Sequence, residues 1–118
     1  MAVELHRGEE LVVVYATFPD LPGAQAAARG LVEGGLAACV NMIPGMVSVY
    51  AWKGTLETAG EVVFLAKTRG RLAEAVMGAI AAVHPYETPA LMVLPVEAAS
   101  RAYGDWIVAE TQPGVRDG

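Results

Sequence analysis

A histidine, a phenol and a carboxylate share the hexapeptide His84-Pro85-Tyr86-Glu87-Thr88-Pro89. Its two prolines remove backbone donors and fix φ on either side of the polar groups, which makes the connection stiff. A stiff loop carrying such groups is how a fold presents a site. His84 offers an imidazole nitrogen suited to Cu²⁺ or Zn²⁺. One imidazole per chain is a weak site unless Glu87, Tyr86 or a neighbouring subunit completes it. The competing reading is a histidine at a helix end that bonds to backbone carbonyls or faces the helix dipole. The other histidine, His6, lies in an N-terminal stretch expected to be loose.

Glu61, Lys67, Tyr86 and Glu87 form a second candidate set. If the strand carrying Glu61 and Lys67 lies beside the hexapeptide of its own or a neighbouring subunit, these groups converge on an intersubunit cleft for a small ligand. Otherwise Glu61 and Lys67 satisfy each other or a strand end and fix register. Cys39, the single cysteine, sits among Ala37, Ala38 and Val40, which supply no base to activate it, so it reads as a packed small hydrophobe. Tyr50 and Trp52 alternate on one strand face and read as interface or core anchors, with a stacking platform for a base as the minority reading. The methionines are dispersed and fill core. No Ser-His-Asp set, paired catalytic carboxylates or complete metal site is visible, nor any glycine-rich nucleotide fingerprint. A protein without catalysis of its own and without an organic cofactor is expected.

The elements that position these groups follow from apolar periodicity. Residues 11–18 read as a strand, and Asp20 caps a helix that runs to Gly34-Gly35. Strands follow over 36–43, ended by Pro44-Gly45, and over 46–52. Residues 54–60 read as a turn-containing excursion before a strand over 61–68. Leu72, Val76, Ala79, Ile80 and Val83 line one face of a second helix. A last strand, 90–96, precedes a helix over 100–111 with Tyr103, Trp106 and Ile107 facing inward. The expectation is one domain over 1–118, with a core of about 10–111 and tails at 1–9 and 112–118.

This β-α-β-β-α-β order, with an extra strand-like element and a terminal helix, specifies a ferredoxin-like α+β sandwich. Apolar residues make up 54% of the 118 and charged ones only 18%. Most of the strands are apolar on both faces, as in a sheet covered on both sides. Two helices cover one face only, so another subunit must cover the other, and an open edge in 46–60 can extend pairing across that interface. Net charge is −5 with the basic residues scattered, which argues against nucleic acid and anionic membranes as partners. A single cysteine, a polar N-terminus and no long apolar run point to the cytoplasm.

Several stretches keep a recognisable order and spacing: Leu36-Ala37-Ala38-Cys39-Val40-Asn41, Ile43-Pro44-Gly45 and Ser48-x-Tyr50-x-Trp52-x-Gly54. Glu61, Lys67-Thr68, His84-Pro85-Tyr86-x-x-Pro89 and Tyr103-x-x-Trp106 continue the pattern over about residues 11–108. In these stretches the sequence resembles the CutA family of divalent-cation tolerance proteins. The resemblance implies a ferredoxin-like homotrimer, similar to PII-type signalling proteins, with a role in copper and other divalent-cation tolerance. It also implies metal ligands at a first-strand Cys and two consecutive His before the Pro. Here those positions hold Ala16, Val83 and His84, and Ala90 stands where a Glu commonly follows the second Pro. The resemblance supports two functions: a metal-tolerance trimer with His84 as its best ligand, or a signalling trimer that binds a small anion near Glu61, Lys67 and Tyr86.

Overall fold

Consecutive β-branched residues pack well on a pleated surface, and Leu11–Phe18 accordingly forms β1 at the interior of the sheet. The computed structural model describes residues 2–113. After β1, the Asp20 carboxylate accepts the Gly23 N–H at 2.8 Å and caps α1, Leu21–Glu33, with a proline in its first turn. Next come β2, Cys39–Trp52, and β3, Thr55–Arg69, then a 3₁₀ turn over Gly70–Leu72 and α2, Ala73–Val83. β4, Leu91–Val96, and α3, Arg101–Glu110, complete the chain, with the Ser100 hydroxyl accepting the Tyr103 N–H at 3.4 Å.

The four strands order as β2-β3-β1-β4, every pair antiparallel, giving the ferredoxin-like α+β fold. Its register separates two faces. Val12, Val14, Ala16 and Phe18 of β1 share a face with Val62, Phe64 and Ala66 of β3, and these pack under Ala24, Ala28 and Leu31 of α1 and Val76 and Ile80 of α2. Alanines on both layers bring the helices close to the sheet. The alternate residues face away from α1 and α2. There α3 covers one end, where Ile107 packs on Leu11 and Ala38, while Ile43, Met92 and Leu94 stay largely exposed.

Two expectations for the middle of the chain are corrected. The strands read separately over 36–43 and 46–52 are one strand, β2, because Pro44-Gly45 is absorbed by a bulge between Ile43 and Met46 instead of ending the pairing. The supposed excursion over 54–60 belongs to β3. The chain reverses at Lys53-Gly54, with φ of 51° and 82°, the double positive φ that two-residue hairpins require. The resulting hairpin projects past β1 and exposes Val47, Val49 and Leu56.

The terminal segments also differ from expectation. Of the three residues expected to face inward only Ile107 is buried; Tyr103 and Trp106 stack on each other at 5.7 Å between centroids and stay partly exposed. The N-terminal stretch is not loose. Leu5 bridges to Ser100, the His6 N–H donates to the Ala99 carbonyl, and the Arg101 N–H donates to Glu4. His6 Nδ1 lies 2.8 Å from Asp105 Oδ1, and Nε2 lies 3.0 Å from the Glu9 carbonyl. Gly104 makes this possible, since a Cβ there would collide with the His6 side chain. Glu9 pairs with the buried Arg69 at 2.8 Å, and Arg69 also donates to the Thr111 hydroxyl and carbonyl. This locks the start of the chain, β3 and the end of α3 together. At the other end Gln112 donates to the Val108 carbonyl at 3.1 Å, and the remainder of the expected tail, 114–118, lies outside the described residues.

The hydrogen bond to Asp105 holds the His6 imidazolium above its ordinary range. A raised folded value means that this contact adds stability in full below the unfolded imidazole value of about 6.5 and loses it as pH rises through the folded value. Exchange protection of the His6 and Arg101 amides is therefore expected to fall as pH is raised from 6 through 8, roughly the span of a shifted imidazole. Asp105→Asn should flatten that dependence, and Gly104→Ala should abolish the protection at every pH.

Candidate functional site

α2 stops at Val83 because the residue before a proline is pushed out of helical geometry, and His84 is extended at φ −79°, ψ 137°. Its ring packs on Phe18, with centroids 4.7 Å apart, and on Tyr86 at 4.8 Å. Nε2 lies 2.7 Å from the Thr17 carbonyl, and Nδ1 accepts the Tyr86 N–H at 3.1 Å. This pair of bonds assigns the Nε2–H tautomer, with Nε2–H donating to Thr17. Both ring nitrogens are thus committed to backbone, and the side chain clasps the loop to β1.

A cavity of about 480 Å³ opens between that loop and the sheet face that α1 and α2 leave uncovered. Its walls come from Thr17, Tyr50, Trp52, Glu61 and the loop residues 85–88. Glu61 is only 9% exposed, and it sits opposite Met46 at the first pair beyond the bulge. The Tyr86 phenol is pushed above its ordinary pKa by burial first, then by the neighbouring Glu61 charge and by Tyr50. It therefore stays a protonated donor throughout the physiological range. At the rim, Lys53 Nζ lies 3.6 Å from the Glu87 carboxylate and 5.7 Å from the centre of the Trp52 ring.

The structure brings Glu61, Tyr86 and Glu87 together and leaves Lys67 elsewhere. Lys67 shares a sheet face with Glu61 but stands six residues along β3, about 20 Å away at the rise of a strand. There its Nζ donates to the Tyr103 hydroxyl at 3.0 Å and lies over the Tyr103 ring. Neither the four-residue cluster nor a Glu61–Lys67 pair forms within the chain. Tyr50 and Trp52, read from sequence as interface or core anchors, line the cavity. Thr17 and Lys53 were not anticipated at all, although a hairpin centred on Lys53-Gly54 would have placed Tyr50, Trp52 and Glu61 on one face.

Within one chain the donor set does not fit a resident divalent metal. Among the described residues no group of three or more His, Cys, Asp or Glu side chains is placed to hold an ion. Ala16 is sealed in the core, Val83 carries no donor, and both His84 nitrogens are engaged.

Two outcomes test this geometry. His84→Ala leaves the Thr17 carbonyl and the Tyr86 N–H without their partner and is expected to cost about 1–3 kcal/mol in denaturant unfolding, with faster exchange at the Tyr86 amide. In an absorbance titration the Tyr86 phenol should ionise above the ordinary tyrosine value, and Glu61→Gln should bring it only part of the way back, since burial is the larger cause.

Residues 12–110 match the family model described as CutA1 divalent ion tolerance protein. The chain is 41% identical over 107 residues to the Protein CutA homolog of Xenopus laevis, covering 91% of this chain and 71% of that protein. It is 41% identical over 100 residues to the divalent-cation tolerance protein CutA of Pectobacterium atrosepticum, covering 85% and 91%. Mammalian and chloroplastic relatives are longer, and the chain spans 55–57% of their length. The crystal structure of CutA from Xylella fastidiosa superposes with a TM-score of 0.84 at 37% identity, covering 86% of this chain and 98% of that one. Fold, motif order and this extent of match agree: the chain belongs to the CutA1 divalent ion tolerance family.

Proposed function

We propose that this chain serves divalent-cation tolerance, copper included, as a non-catalytic cytoplasmic homotrimer that carries no resident metal. The match of residues 12–110 to the divalent ion tolerance family carries this reading. The absence of a fitting donor set among the described residues shapes it, for a tolerance protein built this way meets cations only weakly at His84. The trimer rests on the exposed apolar side chains of the uncovered sheet face and of the β2–β3 hairpin, which a second and third copy would bury. The cytoplasmic address rests on the single cysteine and the polar N-terminus, although relatives include proteins named chloroplastic.

Calorimetry with Cu²⁺, beside His84→Ala, tests the metal reading. Weak binding that is unchanged in the variant is expected; tight stoichiometric binding lost in the variant would restore His84 as an anchoring ligand. Native mass measurement tests the assembly, and a stable folded monomer at micromolar concentration would sink the trimer. In cells sensitised to copper by loss of a relative of this protein, wild type and His84→Ala are both expected to restore growth.

The cavity favours a second reading, a signalling or adaptor trimer that holds a small ligand. Within one chain Lys67 lies at the other end of β3 and the lining contains Glu61 and Glu87 but no basic side chain, so an anionic ligand here needs Lys67 of a neighbouring copy.

A further inference from the structure

We propose that the cavity between the 85–88 loop and the uncovered sheet face binds a small organic ammonium ion, with Glu61 as counter-charge and Tyr50, Trp52 and Tyr86 as its walls. This goes beyond the cation-tolerance reading and rests, within the homotrimer, on the loop end of that face staying open while other copies cover its apolar middle.

The first observation is Glu61 itself. Its side chain is more than nine-tenths buried at the cavity wall, and none of the ion pairs among the described residues includes it. A carboxylate taken out of water without a cation is held at a cost that a charged ligand returns. An anion would meet both Glu61 and Glu87 and be repelled. The Tyr86 phenol hydrogen-bonds to Glu61 but carries no charge, and a neutral ligand would likewise leave Glu61 without a counter-ion.

The second observation is the aromatic wall. Tyrosine and tryptophan faces carry negative potential and attract a cation that sheds its water easily, which alkylated ammonium ions do. A hard divalent ion instead demands six or more oxygen donors and gives up water reluctantly. Two carboxylates among rings do not meet that demand, whereas they suit a soft, diffuse positive charge. A volume of about 480 Å³ falls within the range of small-molecule sites and leaves room for substituents beyond the cationic head.

The third observation comes from the chain's own ammonium. Lys53 Nζ rests over the Trp52 ring at 5.7 Å and near the Glu87 carboxylate at 3.6 Å. An alkylammonium is therefore already seated at the rim by one ring and one carboxylate of the kinds that line the interior. Lys53 competes with the ligand for Trp52.

The test is a titration of the full-length protein with tetramethylammonium, followed by amide chemical shifts. Tert-butanol, of similar size and neutral, and acetate serve as comparisons. Saturable shifts at Thr17, Glu61, Tyr86 and Thr88, with affinity in the roughly millimolar range or tighter, are expected for tetramethylammonium alone. Glu61→Gln should weaken binding about tenfold and Trp52→Leu about fivefold, the scale of a lost charge partner and a lost cation–π face. Lys53→Asn, which keeps the left-handed turn while removing the ammonium, should tighten binding. Absence of saturable shifts in the wild-type protein overturns the proposal without recourse to any variant. Equal binding of tert-butanol, preference for acetate, an unaffected Glu61→Gln or weaker binding in Lys53→Asn would each overturn it as well. The Cu²⁺ experiment on His84 reads a different group, so either reading can fail without the other.

Discussion

A four-stranded sheet has two faces, and α1 and α2 cover only one of them. That limit organises everything else in the molecule. Because the helices dock through alanines and β-branched residues, the covered face is closely packed and holds no functional polar group. Polar chemistry is displaced to the other face, where Glu61, Lys67 and Arg69 alternate along β3 with the core residues Val62, Phe64, Ala66 and Thr68. α3 shields one end of that face, the hexapeptide loop walls the other, and the apolar middle is left to other copies of the chain.

His84 shows how one side chain can be committed to a structural role while keeping the chemistry of a ligand. The two prolines of the loop restrict φ but do not attach the loop to anything. Attachment comes from the imidazole, which supplies a donor to the Thr17 carbonyl and an acceptor to the Tyr86 N–H. A metal drawing on either nitrogen must first break a backbone hydrogen bond, and a buried carbonyl left unpaired carries its own penalty. Ring contacts with Phe18 and Tyr86 reinforce the same orientation. The residue that looks most like a ligand in the sequence is thus spent on shaping the cavity beside it.

The fold was legible because apolar periodicity reports burial directly, and β1, α1, α2 and β4 emerge nearly at their observed bounds. Pro44-Gly45 misled because a proline tolerated at a bulge looks the same in sequence as one that ends a strand. Residues 54–60 misled because polar residues on a projecting hairpin carry no burial signal. The site was half legible: Glu61, Tyr86 and Glu87 do converge, while Lys67 shares the parity of Glu61 but not its position along the strand. The docking of His6 on Asp105 and Gly104 was hidden altogether. It joins opposite ends of the chain, and its sequence trace is a glycine inside a helix.

The bulge in β2 has a consequence for how the hairpin is built. A one-residue slip between β2 and β3 would turn every side chain to the wrong face, but a two-residue slip would not. Over strands of 14 and 15 residues, the second error is the dangerous one. The extra residue between Ile43 and Met46 lies at a fixed distance from the reversal at Lys53-Gly54, so only one alignment seats both irregularities. The pair works as a key with two notches. A hairpin zipping up from its turn meets the second notch before it reaches the core, and a misaligned copy is rejected while it is still peripheral.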